Sequence, residues 1–109
     1  MIVTERNVSD ALAYLAIDPH PIALARKDVT DSENARKEAF AKAFLNATGN
    51  IEERKSCAEI DSDMIAAKQE EAADIMELER HRARTRAAEM LLEVWRTENA
   101  NARAAEKVR

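Results

Sequence analysis

Apolar residues in this chain recur at three- and four-residue spacing, the period of amphipathic helices. The longest stretch that reads this way runs from Asp61 to Arg109 without one Pro or Gly, and nearly all of it is good helix former. It predicts a helix over about 62–105, roughly 65 Å long at 1.5 Å per residue. A rod of that length exceeds the diameter of a compact domain of this size, so much of it needs a partner. Its apolar seam is Ile65, Ala72, Ile75/Met76, Ala83, Ala87, Leu91 and Val94, widened by Leu78, Met90, Leu92 and Trp95. The seam is thin and Ala-rich from Glu77 to Arg86, then strongly apolar from Ala87 to Trp95. No four strict heptads of apolar residues follow one another, which argues against an ideal parallel coiled coil.

Three shorter elements precede it. MIVTERN reads as an irregular lead-in, with Ser9 as the N-cap of a short helix over about 9–17 whose face is Val8, Leu12, Leu15 and Ala16. Asp18-Pro19-His20-Pro21 stops that helix in a stiff corner, and Pro21 opens the next one, over about 21–48. The second helix has an apolar stripe of Ile22, Ala25, Val29, Ala39 or Phe40, Ala43 or Phe44, and Ala47, which Ser32 and Arg36 interrupt. VTDSEN has poor helix propensity, so a local distortion is expected there. Gly49, the single glycine, suits the left-handed position just past a helix end. Asn50 and Glu53 then form a capping-box-like start to a short helix over about 50–59, and Asp61 or Ser62 caps the long one.

The predicted architecture is all-α: a single domain over 1–109 built as an antiparallel helical hairpin with one long C-terminal helix, a short N-terminal helix and a short connecting helix. Length matching carries the second helix back along the long one to about Ala87. That leaves Leu12 and Leu15, with Tyr14, to meet Leu91 and Trp95, and residues from Asn99 without an intrachain partner. The chain has 109 residues, 35% of them charged and 4% aromatic, a long-helix profile rather than a sheet profile. So small a chain commonly completes its core by association, and a homo-oligomer is expected. No apolar run approaches a bilayer span and no signal-peptide pattern opens the chain, so the expectation is a cytoplasmic protein with no membrane partner. Cys57 is the single cysteine, which excludes an intramolecular disulfide.

Charge sharpens the picture. Residues 1–79 carry 9 basic and 17 acidic side chains, net −8, whereas residues 80–109 carry 8 basic and 4 acidic, net +4. An acidic body with a basic end favours head-to-tail contact or a polyanion at that end. The candidate contact residues are Arg80, Arg82, Arg84, Arg86, Arg96 and Arg103, because guanidinium groups suit phosphate geometry. Trp95 beside Arg96 would add stacking on a single strand. Interspersed Glu77, Glu79, Glu89 and Glu93 give the same run a second reading, a solvated helix face. Leu91, Leu92, Val94 and Trp95 form the candidate assembly or core patch. Glu70, Glu71, Asp74 and Glu77 line up carboxylates, yet helical di-metal sites need two Glu-x-x-His pairs, and here Glu77 and His81 stand four apart with no second motif. Cys57 reads as a small filler or exposed thiol, and His20 as turn decoration. No phosphate loop, HExxH or CxxC occurs. The reading is therefore not an enzyme, with no cofactor and no metal.

The segment from Ala43 to Arg103 resembles small helical proteins encoded by tailed bacteriophages. The residues that carry the likeness are Ala43-Phe44-Leu45 running into the turn at Gly49, Glu52-Glu53-Arg54, Ala88-Glu89, the run Glu93 to Arg96, and Asn99-Ala100. It departs at the end, ARAAEKVR, where such sequences commonly finish in a basic, Gly-containing tail. That family has no established activity and tends to be encoded near replication and recombination genes. The resemblance implies a phage or prophage protein inside the bacterial cell. The leading expectation is a non-enzymatic interaction protein working with phage or host DNA-processing machinery. Its rivals are direct single-stranded nucleic-acid binding through the basic end and an acidic decoy or inhibitor of a host nuclease or defence protein, presented by Glu70, Glu71 and Asp74.

Overall fold

A computed structural model describes residues 3–108. Among the described residues all regular structure is helical: α1 (Glu5–Leu15), α2 (Pro21–Asn46), α3 (Ile51–Ile60) and α4 (Ser62–Val108). The predicted all-α hairpin with one long C-terminal helix is what forms. The chain divides into two compact units, one of Ile22–Glu79 and the other of the segments up to Pro21 and from Arg80 onward; α4 contributes to both.

In the Ile22–Glu79 unit, α2 runs antiparallel to the first part of α4. Its buried and half-buried positions include Ile22, Ala25, Val29, Ser32, Arg36, Ala39 and Ala43, an unbroken three–four alternation, with Glu33, Phe40 and Phe44 half-buried beside it. Ser32 and Arg36 therefore do not interrupt the stripe but supply its polar middle. The Ser32 hydroxyl donates to Asp74 Oδ2, and Arg36 Nε donates to Glu71 Oε2 at 2.9 Å. On α4 the matching positions are Met64, Ala67, Glu71, Asp74 and Leu78, with Met64 and Leu78 buried. This corrects the seam read from apolar residues alone, because Ile65, Ala72, Ile75 and Met76 face solvent instead.

The expected distortion at VTDSEN is also absent, and α2 continues through it. Thr30, Asp31, Ser32 and Glu33 find partners that leave the helix intact. Thr30 Oγ1 donates back to Arg26 O at 3.1 Å, Lys27 pairs with Asp31 at 2.8 Å, and Ser32 is committed to Asp74. Glu33–Lys37 and Glu38–Lys42 add i,i+4 pairs at 3.0 and 2.9 Å in the favourable acid-first order. The Asp31 hydrogen bond and charge raise the Lys27 ammonium above its ordinary range. The Lys37 hydrogen bond, then its charge, lower the Glu33 carboxyl.

Gly49 adopts φ 107°, where L side chains are strained, and a Cβ there would run into the Glu53 carboxylate. Asn50 caps α3, its side chain accepting from Glu53 N at 2.9 Å. Asp61 ends α3 and starts α4, its Oδ2 accepting from Asp63 N at 3.1 Å and Met64 N at 3.3 Å. Ala58 is the fully buried residue of α3.

In the other unit α1 begins a turn and a half earlier than the Ser9 cap predicts. Thr4 is the N-cap, its hydroxyl accepting from Asn7 N at 3.1 Å, and Glu5 favours the helix dipole. Ser9 lies within the helix. Of the predicted lead-in, Met1 and Ile2 lie outside the described residues, while Val3 is buried and its N–H donates to Glu98 Oε2 at 3.3 Å. The buried face is Val8, Ala11 and Tyr14, so Leu12 points outward at 52% exposure. The Tyr14 hydroxyl meets His81 and Thr85, and Leu91 lines one hollow with Tyr14, Asn7, Asp10 and Ala11. The Asp18–Pro19 bond is cis.

A double-mutant cycle tests the polar middle of the α2–α4 pair. Asp74→Ala strands a buried hydroxyl and should cost about 1–2 kcal/mol. Ser32→Ala should cost less, because water reaches the half-buried Asp74. The double variant should lose less than the sum by about 1 kcal/mol, read from urea unfolding. Strict additivity would show that the two side chains do not depend on each other.

Candidate functional site

The predicted basic run lies on α4 in the α1–α4 unit, and the structure divides it by role. Arg84 is built into the fold. Its guanidinium carbon lies 4.1 Å from the centroid of the Tyr14 ring, a cation–π contact. His20 meets the same ring edge-on at 5.0 Å and 71°. The Tyr14 hydroxyl lies 3.3 Å from His81 O, to which it donates, and 3.1 Å from Thr85 Oγ1. Thr85 Oγ1 also donates to His81 O at 3.0 Å. Tyr14 is 4% exposed, so this cluster is the most buried feature of the unit's α1 side. It also corrects the reading of His20 as turn decoration.

The remaining arginines point to solvent. Arg80 and Arg82 are exposed and have interactions of their own. Arg86, Arg96 and Arg103 are exposed and form no ion pair among the described residues. Arg96, Arg103 and Lys107 follow at seven- and four-residue spacing, which places them on one side of α4. Asn99, where the partnerless end was expected to begin, is half-buried, and from Ala100 to Lys107 every side chain is exposed.

The proposed assembly patch is two surfaces rather than one. Leu92 and Trp95 are half-buried and continue the spacing of His81, Thr85 and Ala88, the side of α4 that carries the Tyr14 contacts. Trp95 thus shares the side of α4 that faces α1. Leu91 and Val94 belong with Ala87 and Met90, which together line an almost wholly apolar hollow of about 300 Å³. Met90 is 62% exposed. Apolar positions can be seen in sequence, but which of two adjacent seams turns inward is decided by where α1 docks.

The acidic group is partly consumed by the fold. Glu71 and Asp74 hold Arg36 and Ser32. Of the three acids proposed as a decoy surface, Glu70 alone is fully exposed. Among the described residues no three His, Cys, Asp or Glu side chains converge as metal ligands. Cys57 is a free, exposed thiol on α3. No helix of the described residues is long and apolar enough to cross a membrane.

A further surface was not singled out in the sequence. Phe40 and Phe44 stack at 6.2 Å, Arg54 lies 5.9 Å over Phe44, and Arg54 Nε donates to Gly49 O at 3.1 Å. Phe44, Gly49, Ile51 and Arg54 border an apolar hollow there, and Leu45 and Ile51 stand largely exposed. The visible signal was the apolar pair Leu45 and Ile51 flanking the glycine turn.

The Tyr14 cluster can be tested with the single tryptophan as a local probe. Tyr14→Phe should lower the stability read from Trp95 fluorescence by about 1 kcal/mol, the net value of a hydrogen bond. Arg84→Ala should lower it by about 0.5–1 kcal/mol with Tyr14 present and by almost nothing with Leu at position 14. Equal losses in both backgrounds would remove the cation–π account. No family model, curated protein or solved structure matches the chain.

Proposed function

We propose that the chain is a non-enzymatic helical interaction protein that associates with itself and works with phage or host DNA-processing machinery. One observation carries the interaction half of this reading. No large side chain is fully buried among the described residues, while Leu45, Ile51, Ile60, Met76 and Met90 are more than 60% exposed. A chain that leaves so much apolar surface in water gains most by covering it with another protein. The link to DNA processing rests on the resemblance of Ala43–Arg103 to small phage proteins. In this reading Ala87–Val94 serves in assembly, and the arginines from Arg80 to Arg103 that point to solvent make polar contact with the partner.

Light scattering at high-micromolar concentration should give a mass above the 12.2 kDa of one chain. A strict monomer throughout would end the assembly half of the proposal.

A second reading is favoured by the run Arg96, Arg103 and Lys107, which is exposed and has no acid partner among the described residues. It is direct binding of single-stranded DNA or RNA. Three phosphate contacts predict a log–log salt slope of about −2. Fluorescence anisotropy with an unstructured oligonucleotide should show that slope, and should lose it in the triple alanine variant. No binding at low salt would remove this reading.

A further inference from the structure

The apolar hollow on α4 has a charge pattern around it that specifies what can cover it. Ala83, Ala87, Met90 and Val94 follow at four-, three- and four-residue spacing, so they form a straight seam. This seam is offset around α4 from Ala88, Leu92 and Trp95, and Ala87 at its inner edge borders the hollow that α1 forms with α4. Ala83, Ala87 and Met90 are exposed and Val94 is half-buried. Arg86 and Glu93 flank it along one edge, seven residues apart. Both are exposed, and neither makes an ion pair within the chain among the described residues.

A second copy of the same helix can meet this seam in few ways, and charge separates them. In a parallel pair, Glu93 falls beside Glu98 of the other chain, and Arg86 beside Leu91. In an antiparallel pair, layers form between Ala87 and Met90 and between Ala83 and Val94 of opposite chains. That register sets Arg86 of each chain beside Glu93 of the other, twice by symmetry. Sliding one heptad in either direction brings Glu93 onto Glu93, or Arg86 onto Arg86. One arrangement thus satisfies both the apolar seam and its charges.

We infer that α4 pairs with α4 of a second copy, antiparallel and centred between Ala88 and Glu89, with reciprocal Arg86–Glu93 contacts setting the register. The inference rests on the proposed self-association and names its surface, orientation and register. The seam is short, so the dimer is a weak one, with the small area of a transient contact rather than an obligate interface. Flanking charges of this kind act chiefly on register and partner choice, because like-charge juxtaposition is costly. Small residues at Ala83 and Ala87 let the two helices approach closely, with Met90 filling the space opposite.

The test uses the full chain with Cys57→Ser, so that an introduced cysteine is the sole thiol. A spin label at Ala102→Cys lies 13.5 residues from the proposed centre, so two labels in the antiparallel dimer should stand about 40 Å apart. A parallel dimer would bring them within roughly 10–20 Å. Arg86→Glu and Glu93→Arg should each weaken dimerisation at least about tenfold in sedimentation equilibrium. The double variant, which exchanges the two charges, should recover to within about threefold of the parent on the same argument. All three positions are exposed, and circular dichroism checks that helicity is unchanged. A dimer with the short distance, or a double variant as weak as the singles, overturns this inference and leaves self-association standing. A strict monomer at high-micromolar concentration overturns both.

Discussion

Each unit depends on the same constraint: the inward positions of α4 include a polar pair among apolar ones, so its neighbour must satisfy hydrogen bonds as well as fill space. Against α2 the polar positions are Glu71 and Asp74, met by Arg36 and Ser32. Against α1 they are His81, whose carbonyl is used, and Thr85, both met by Tyr14. Such contacts add only about 1 kcal/mol each when made, but leaving one unmade in a dry place costs more. They therefore select register more than they supply stability. A thin core of Ala, Met and Leu would tolerate sliding by a heptad; a donor that must find one acceptor does not.

That constraint also explains which charges remain available for function. Arg36, Arg84, Glu71 and Asp74 are held in internal contacts. Arg86, Glu93, Arg96, Arg103 and Lys107 stand outside them. The charge of the chain thus separates into a structural set and a surface set that share the same helix. The surface set divides again along α4. Near Arg86 and Glu93, opposite signs border an apolar seam, a pattern suited to another helix. From Arg96 onward, Arg96, Arg103 and Lys107 share one side of α4 with no ion pair among the described residues, a pattern suited to phosphate.

The hollows among the described residues open to water, one of them lined by α4 alone, and the buried Tyr14 side chain is held by Arg84, His20, the His81 carbonyl and the Thr85 hydroxyl. What the architecture presents in quantity is long, sided helix. That is the material of contact surfaces, and in the proposed function sides of α4, rather than single residues, make the contacts.

Sequence alone determined the helices and the joints between them. Four elements, the Gly49 turn, the Asn50 cap and the Asp61 junction follow from local propensity and capping, which need no distant partner. It did not determine which side of each helix turns inward. Ser32 and Arg36 read as breaks in an apolar stripe because their partners Asp74 and Glu71 lie 42 and 35 residues away. Local propensity placed the start of α1 at a Ser9 cap, whereas Thr4 is the cap that forms. Tyr14 decided it, since docking Val8, Ala11 and Tyr14 on α4 needs a helix already formed by Val8. Ile65 and Met76 are as apolar as Met64 and Leu78, yet only the latter pair is buried. Hydrophobicity is a property of each residue and can be read along the chain; pairing is a property of two segments, and the tertiary structure decided it by matching their polar groups.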